Sequence, residues 1–243
     1  MASIGRMMAQ SGRSARHRQD ARAKTVLPKT VLPKTVLHVG CGRPGAHKLH
    51  PTFRGPRWRE VRVDIDARVG PDVRADIRDL QPFADGSVDA VWSSHNLEHL
   101  HDHDVPRALA EFRRVLRPDG FALITTPDIE AVAQLVVNGK LDTIAYHARA
   151  GPITALDMIY GHRSAIAAGN DLMCHRTAFS RDRLGRLLVQ AGFTRAVVAQ
   201  GDAFDLWAIA LREKAPASLE ALAAEAGPAG VPPVRGGRSG ERA

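Results

Sequence analysis

The run Val36-Leu-His-Val-Gly-Cys-Gly-Arg-Pro-Gly45 constrains this chain more than any other stretch. A short aliphatic, β-branched segment breaks into three glycines within six positions. That is the pattern of a buried parallel strand ending in a turn where backbone approaches something closely. Later apolar runs end on, or begin beside, acids: Asp64 or Asp66, then Asp76, with Asp89 just ahead of a further strand. The glycine turn is therefore the first of several loops able to converge on one ligand.

The chain has 243 residues and is 44% hydrophobic, enough for one domain with a full core. Its formal charge of +8 invites a nucleic-acid reading, but residues 1–34 hold eight Lys/Arg against the single Asp20, while residues 35–211 hold 21 of each sign. A neutral domain lacks the clustered cations that a phosphate backbone needs, which makes nucleic-acid binding a minor hypothesis. Cys41 and Cys174 form no C-x-x-C pair, which fits a reducing, cytoplasmic setting. No apolar run reaches the roughly 18 residues of a membrane span. The Arg-rich first 24 residues resemble a transit peptide in composition but lack a secretory apolar stretch; a disordered basic leader is the preferred reading.

Thr25-Val-Leu-Pro-Lys is repeated at Thr30 and again, without the proline, at Thr35. Proline cannot donate to a ladder, so only the third copy suits a central strand and the domain is expected to run from residue 35 to 212. Prolines at 44, 51 and 56 leave room for only a short or broken helix after the glycine turn. Strands are expected at Glu60–Asp66, Asp72–Ile77, Ser87–Ser94 and Phe121–Thr126, with a helix between the last two, capped by Asp104 and stopped by Pro118. Residues 129–178 read as an irregular insertion with one helix at 130–137. Ser180 caps a helix closed by Gly192, two strands follow at 194–200 and 204–211, and 213–243 reads as a disordered tail with a short helix near 217–225. Alternating strands and helices imply an α/β fold with a mostly parallel sheet and helices on both faces.

Gly40-Cys-Gly-Arg-Pro-Gly45 is G-x-G-x-x-G, with Asp64 about 20 residues on for ribose hydroxyls. Alone, that leaves NAD, FAD and S-adenosylmethionine open, although a dinucleotide wants a helix N-terminus at its pyrophosphate, which Pro44 and Pro51 disfavour. The blocks Val36-Leu-His-Val-Gly-Cys-Gly, Val63-Asp-Ile-Asp, Ala75-Asp-Ile-Arg-Asp-Leu, Ser87 to Leu100, and Phe112-Arg-Arg-Val-Leu-Arg-Pro-Asp-Gly add a stronger signal. Together, and in this order, they resemble the class I S-adenosylmethionine-dependent methyltransferases, in particular the type 11 methyltransferase domain. The resemblance implies a Rossmann-like seven-stranded sheet with an insertion after the fifth strand, S-adenosylmethionine as cofactor and methyl transfer to a small-molecule acceptor. It implies that Gly40, Cys41 and Gly42 back the methionine part. Asp64, followed by Ile65, takes the ribose, Asp76 and Ile77 read the adenine, and Ser93, Ser94 and His95 line the methionine side. Asp89 reads as a structural turn or cap residue.

Two other constellations compete. His95-Asn-Leu-Glu98-His99 matches the inverted-zincin H-x-x-E-H pattern, which would make a zinc metallohydrolase with Glu98 as base. The match starts at a strand end and no third ligand is evident, so no metal is expected; both imidazoles are read as packed within the loop. Tyr160-Gly-His162-Arg163 and Met173-Cys-His175-Arg176 each hold a His-Arg pair suited to an anionic acceptor. Methyl transfer can rest on alignment and water exclusion, so a base is needed only if the acceptor loses a proton; His95, His162 and His175 are the candidates. A binding module that keeps the cofactor pocket without turnover is a further alternative.

Overall fold

The computed structural model describes residues 32–224 apart from 46 and 203, and these form one compact unit. The basic leader through residue 31, with the first repeat copy, and residues 225–243 lie outside the described residues.

In chain order the elements are β1 (Lys34–Val39), β2 (Trp58–Asp64), β3 (Val73–Arg74), β4 (Val88–Ser94), α1 (Val105–Val115), β5 (Leu116–Pro127) and α2 (Ile129–Val137). There follow β6 (Ile144–Ala148), β7 (Gly151–Thr154), α3 (Ala155–Tyr160), α4 (Arg163–Ala167), α5 (Arg181–Gln190), β8 (Arg195–Gln200), β9 (Asp205–Leu211) and α6 (Ala221–Ala224). Seven strands make one sheet in the order β3-β2-β1-β4-β5-β9-β8. Strands β1 to β5 pair in parallel, and β9 lies antiparallel to both β5 and β8. The third repeat copy forms β1, an interior strand paired on both sides, which the missing proline permits.

Side-chain alternation divides the sheet into two cores. Leu37, Val39, Val91 and Ile124 face α1 and α5, whose Leu109, Phe112, Leu184 and Leu188 are fully buried. Val36, Ala90, Trp92 and Leu123 face the other way. There the helix after the glycine turn, expected to be short or broken, is a single 3-10 turn at Pro51–Phe53, and an aromatic cluster covers the sheet beside it. Phe53 meets Trp58 edge-on at 5.0 Å and stacks on Phe121 at 5.9 Å, while Trp92 stacks on Trp207 at 5.9 Å. Ala215, Leu219 and Leu222 cover the same face. Residues 213–222, expected in a disordered tail with a short helix near 217–225, are thus part of the domain; the helix forms as a 3-10 turn at Ala217–Glu220 and α6, and Arg195 ties it down through Glu220 at 2.9 Å.

Three local expectations are corrected. Helix α1 ends at Val115, and β5 begins at Leu116 and runs through Pro118, so the proline does not stop the helix. Asp104 makes no capping bond; its carboxylate takes Arg78 at 2.8 Å instead. The insertion is not irregular: β6 and β7 form an antiparallel hairpin, and with α2 and α3 they enclose a small core of Val132, Ile153, Ala155 and Met158. Asp89 is structural as expected, though inside β4, where it accepts the Thr35 N–H at 2.7 Å and pairs with Arg117 at 2.8 Å.

Candidate active site

The strand order reverses between β1 and β4, so the chain leaves these neighbouring strands in opposite directions and opens a crevice at their carboxyl ends. A cavity of about 850 Å³ occupies that crevice. Antiparallel β9 brings its first residue, Asp205, to the same edge, and the β6–β7 turn at residues 148–150 closes over it.

The glycine turn forms one wall through Gly40, Cys41 and Gly42. Gly40 has φ +61°, and a Cβ there would stand 2.5 Å from the Asn96 carboxamide, so both backbone and space demand glycine. Asp64, at the tip of β2, accepts the Gly42 N–H at 2.8 Å and the Asp66 N–H at 2.9 Å, binding the first and second loops together. Each carboxylate oxygen keeps a further lone pair for a hydroxyl. Arg62 braces the same turn from below through the Gly42 carbonyl at 2.5 Å and the Gly70 carbonyl at 2.6 Å. Cys41 is 2% exposed, and burial pushes its thiol up to about 11.

Ile65, Asp76 and Ile77 line the cavity as well. Asp76 is held bidentate by Arg78, with contacts from 2.6 to 3.0 Å; burial opposes ionisation, but Arg78 keeps the carboxyl below its ordinary value. Ser94 and His95 line the cavity, whereas Ser93 does not. Strand alternation turns the Ser93 hydroxyl into the interior, where it is fully buried without a hydrogen-bond partner. Ser93 is therefore removed from the expected lining set.

The sequence reading missed His38, Trp92 and Trp207, which also line the cavity. Alternation along β1 and β4 was the available signal, since His38 and Trp92 stand two residues before the turn-lining Gly40 and Ser94. His38 is buried against Glu60 at 2.6 Å, and burial outweighs that partner to depress its pKa.

The H-x-x-E-H stretch does not form the α-helix that a zincin pattern requires. His95 sits at φ +47° and Leu97–His99 is a 3-10 turn. His95 Nδ1 lies 3.4 Å from Glu98 Oε1. Burial alone would lower the imidazole pKa and raise the carboxyl; their mutual attraction reverses both.

The two His-Arg motifs meet each other, through a bridge between Gly161 and Cys174 and a 3.0 Å bond from His175 N–H to the Tyr160 carbonyl. Gly161, at φ +99°, lies against the Met173 carbonyl too closely for any side chain. The motifs do not converge on the large cavity. Tyr160 and His175 line a second, smaller cavity of about 210 Å³, and Arg176 lines both. Arg163 pairs with Asp157 at 2.9 Å, and His162 bonds Ser164 at 3.2 Å; neither lines either of these two cavities.

Among the described residues, no helix is long and apolar enough to cross a membrane.

The family model described as a methyltransferase domain matches residues 37–124, from β1 into β5. Methyltransferase GfsG of Streptomyces halstedii is 33% identical over 124 residues, covering 45% of this chain and 40% of that protein. The malonyl-[acyl-carrier protein] O-methyltransferase of Laribacter hongkongensis is 44% identical over 69 residues, or 28% of this chain and 22% of the relative. The chain thus spans less than half the length of either curated relative. A solved structure of an S-adenosylmethionine-dependent methyltransferase from Archaeoglobus fulgidus matches with a TM-score of 0.51 at 14% identity, covering 74% of this chain and 86% of that one, which is a likeness of fold. The glycine turn, the acid at the tip of β2 and the family match all fall on one stretch, residues 37–124, which is similar to the methyltransferase domain and lies in a sheet with the fold of a solved S-adenosylmethionine-dependent methyltransferase.

Proposed function

We propose that this domain transfers the methyl group of S-adenosylmethionine to a small-molecule acceptor held in the same crevice. The observation that carries the reading is the cavity at the strand-order reversal. At about 850 Å³ it lies near the upper end of the roughly 300–1,000 Å³ usual for ligand pockets, room for a nucleoside cofactor and a modest second molecule. Bound there, S-adenosylmethionine supplies a methyl group on a sulfonium, a good leaving group. The chain's own task is then to align and to exclude water. Gly40 to Gly42 allow close approach, Asp64 accepts the ribose hydroxyls, and Asp76 with Ile77 takes the base. Trp207 and the β6–β7 turn enclose the opposite side, where the acceptor enters. Of the histidines considered as bases, His95 alone lines this cavity; His175 faces the smaller one and His162 neither.

Calorimetry with S-adenosylhomocysteine tests the pocket. Asp64→Ala removes a charged hydrogen-bond acceptor, worth about 1.5–3 kcal/mol, so affinity should fall roughly 10- to 100-fold while the far-ultraviolet dichroism is kept. Gly40→Val should abolish binding. Unchanged affinity in both variants would show that the pocket is elsewhere. Tight binding without methyl release across a broad acceptor panel would favour a binding module.

A further inference from the structure

Three side chains that the cofactor reading leaves without a task meet between the two cavities. Glu98 and His99 lie on the turn after β4, and His175 lies on the segment leading to α5. Each offers a ligand atom, and the three atoms lie within 4.8 Å of one another. His99 lines the larger cavity, and Glu98 and His175 line the smaller.

Two further observations make this more than proximity. Glu98 is 1% exposed, and neither carboxylate oxygen has a hydrogen-bond partner. A carboxylate taken out of water is costly unless paired or bound to a metal, and His95 addresses only one oxygen, at 3.4 Å. Both other imidazoles are held through Nδ1: His99 at 3.1 Å from the Cys174 carbonyl and His175 at 2.9 Å from the Met158 carbonyl. Donation to a carbonyl fixes the proton on Nδ1 and leaves the Nε2 lone pair free, the orienting contact that metal-ligating histidines make. The rings meet edge to face, 4.9 Å between centroids.

We propose that Glu98, His99 and His175 form a binding site for one divalent first-row transition-metal ion. Two neutral imidazoles and a carboxylate suit zinc, cobalt or manganese better than magnesium or calcium. Ligand bonds of about 2.0–2.2 Å put ligand atoms roughly 3–3.5 Å apart, so a closure of about 1 Å by side-chain rotation completes the site. The backbone is already tied for it: Arg176 and Thr177 N–H donate to the Glu98 carbonyl at 2.8 and 3.3 Å. The missing third ligand that counted against a metal in the sequence comes from His175, which the Gly161–Cys174 bridge carries to the turn. The proposal stands apart from the cofactor reading, since it concerns other side chains.

The full chain, stripped with a chelator, is titrated calorimetrically with Co²⁺ and Zn²⁺, and the Co²⁺ visible spectrum is recorded. One ion per chain should bind, with a rise in thermal midpoint, and Mg²⁺ should bind more weakly. Glu98→Gln and His175→Ala should each weaken binding by about 100-fold, while His147→Ala on the exposed hairpin should not. Histidine modification read by mass spectrometry repeats the test on unmutated protein: Co²⁺ should protect His99 and His175 but not His147. S-adenosylhomocysteine titrated on the same samples reports the fold and cofactor pocket separately. Absence of saturable Co²⁺ binding, affinity unchanged in the Glu98→Gln/His175→Ala double variant, or no protection of the two histidines overturns the site.

Discussion

At the scale of single residues, burial decides which reactive groups can react. Cys41 lies in the glycine turn, yet at 2% exposure with its thiol pushed up to about 11 it stays protonated at neutral pH. Cys174 is only partly buried. Only the thiolate is nucleophilic, so iodoacetamide at pH 8 should label Cys174 in the folded protein and leave Cys41 unmodified until denaturant is added; mass spectrometry separates the two. Rapid native labelling of Cys41 would mean that the turn opens. The sequence identified Cys41 as a turn residue through its glycine neighbours, but its reactivity depends on the strand beside it, which no local pattern records. Ser93 makes the same point, since adjacent serines at a strand tip look equivalent until the pleat sends one inward.

At the scale of elements, the strands of the main sheet were legible because alternation marks them and the turn pair Asp85-Gly86 stands just ahead of β4; Asp119-Gly120, which reads as a second such turn, lies inside β5. The β6–β7 hairpin was not legible, because it is largely exposed, carries Pro152 in a strand and shows no alternation. Arg163 was misplaced for a related reason. A His-Arg pair in an insertion resembles an anion site, but Arg163 serves helix α3. There Thr154 and Asp157 form a capping box and the guanidinium closes on the Asp157 carboxylate at 2.9 Å. Although burial opposes it, Arg163 and the Thr154 contacts hold the Asp157 carboxyl well below the usual carboxylate range. A depressed pKa means that the native state binds this proton more weakly than the unfolded chain. The stabilisation is therefore complete above the unfolded value of about 3.9 and is lost as pH falls below it. Asp157→Asn should cost about 2 kcal/mol at pH 7, and the gap in thermal midpoint from the wild type should close in acid. A pH-independent gap would show that the loss is steric.

At the scale of the whole molecule, the two faces of the sheet are covered by different means, and this ties stability to the site. One face has α1 and α5. The other depends on the loop after the glycine turn, the three tryptophans and the strap around Leu219 and Leu222. Phe53 is the keystone of that thinner cover: it is 1% exposed, touches Trp58, Trp92 and Phe121, and lines neither cavity. The residues just before it, Lys48, His50 and Pro51, do line the large cavity, and Trp92 holds Lys48 through its carbonyl at 2.8 Å. Phe53→Ala should cost about 3–5 kcal/mol, a large share of the roughly 5–15 kcal/mol that holds a domain folded. It should also weaken S-adenosylhomocysteine binding, although no cavity-lining side chain has changed. Phe112→Ala, on the helical face and also fully buried, should cost as much stability with little effect on affinity in the fraction that stays folded. Denaturant melts followed by tryptophan fluorescence, paired with calorimetry below the transition, separate these outcomes. Equal affinity in the two variants would mean that the aromatic face supports the fold without shaping the pocket.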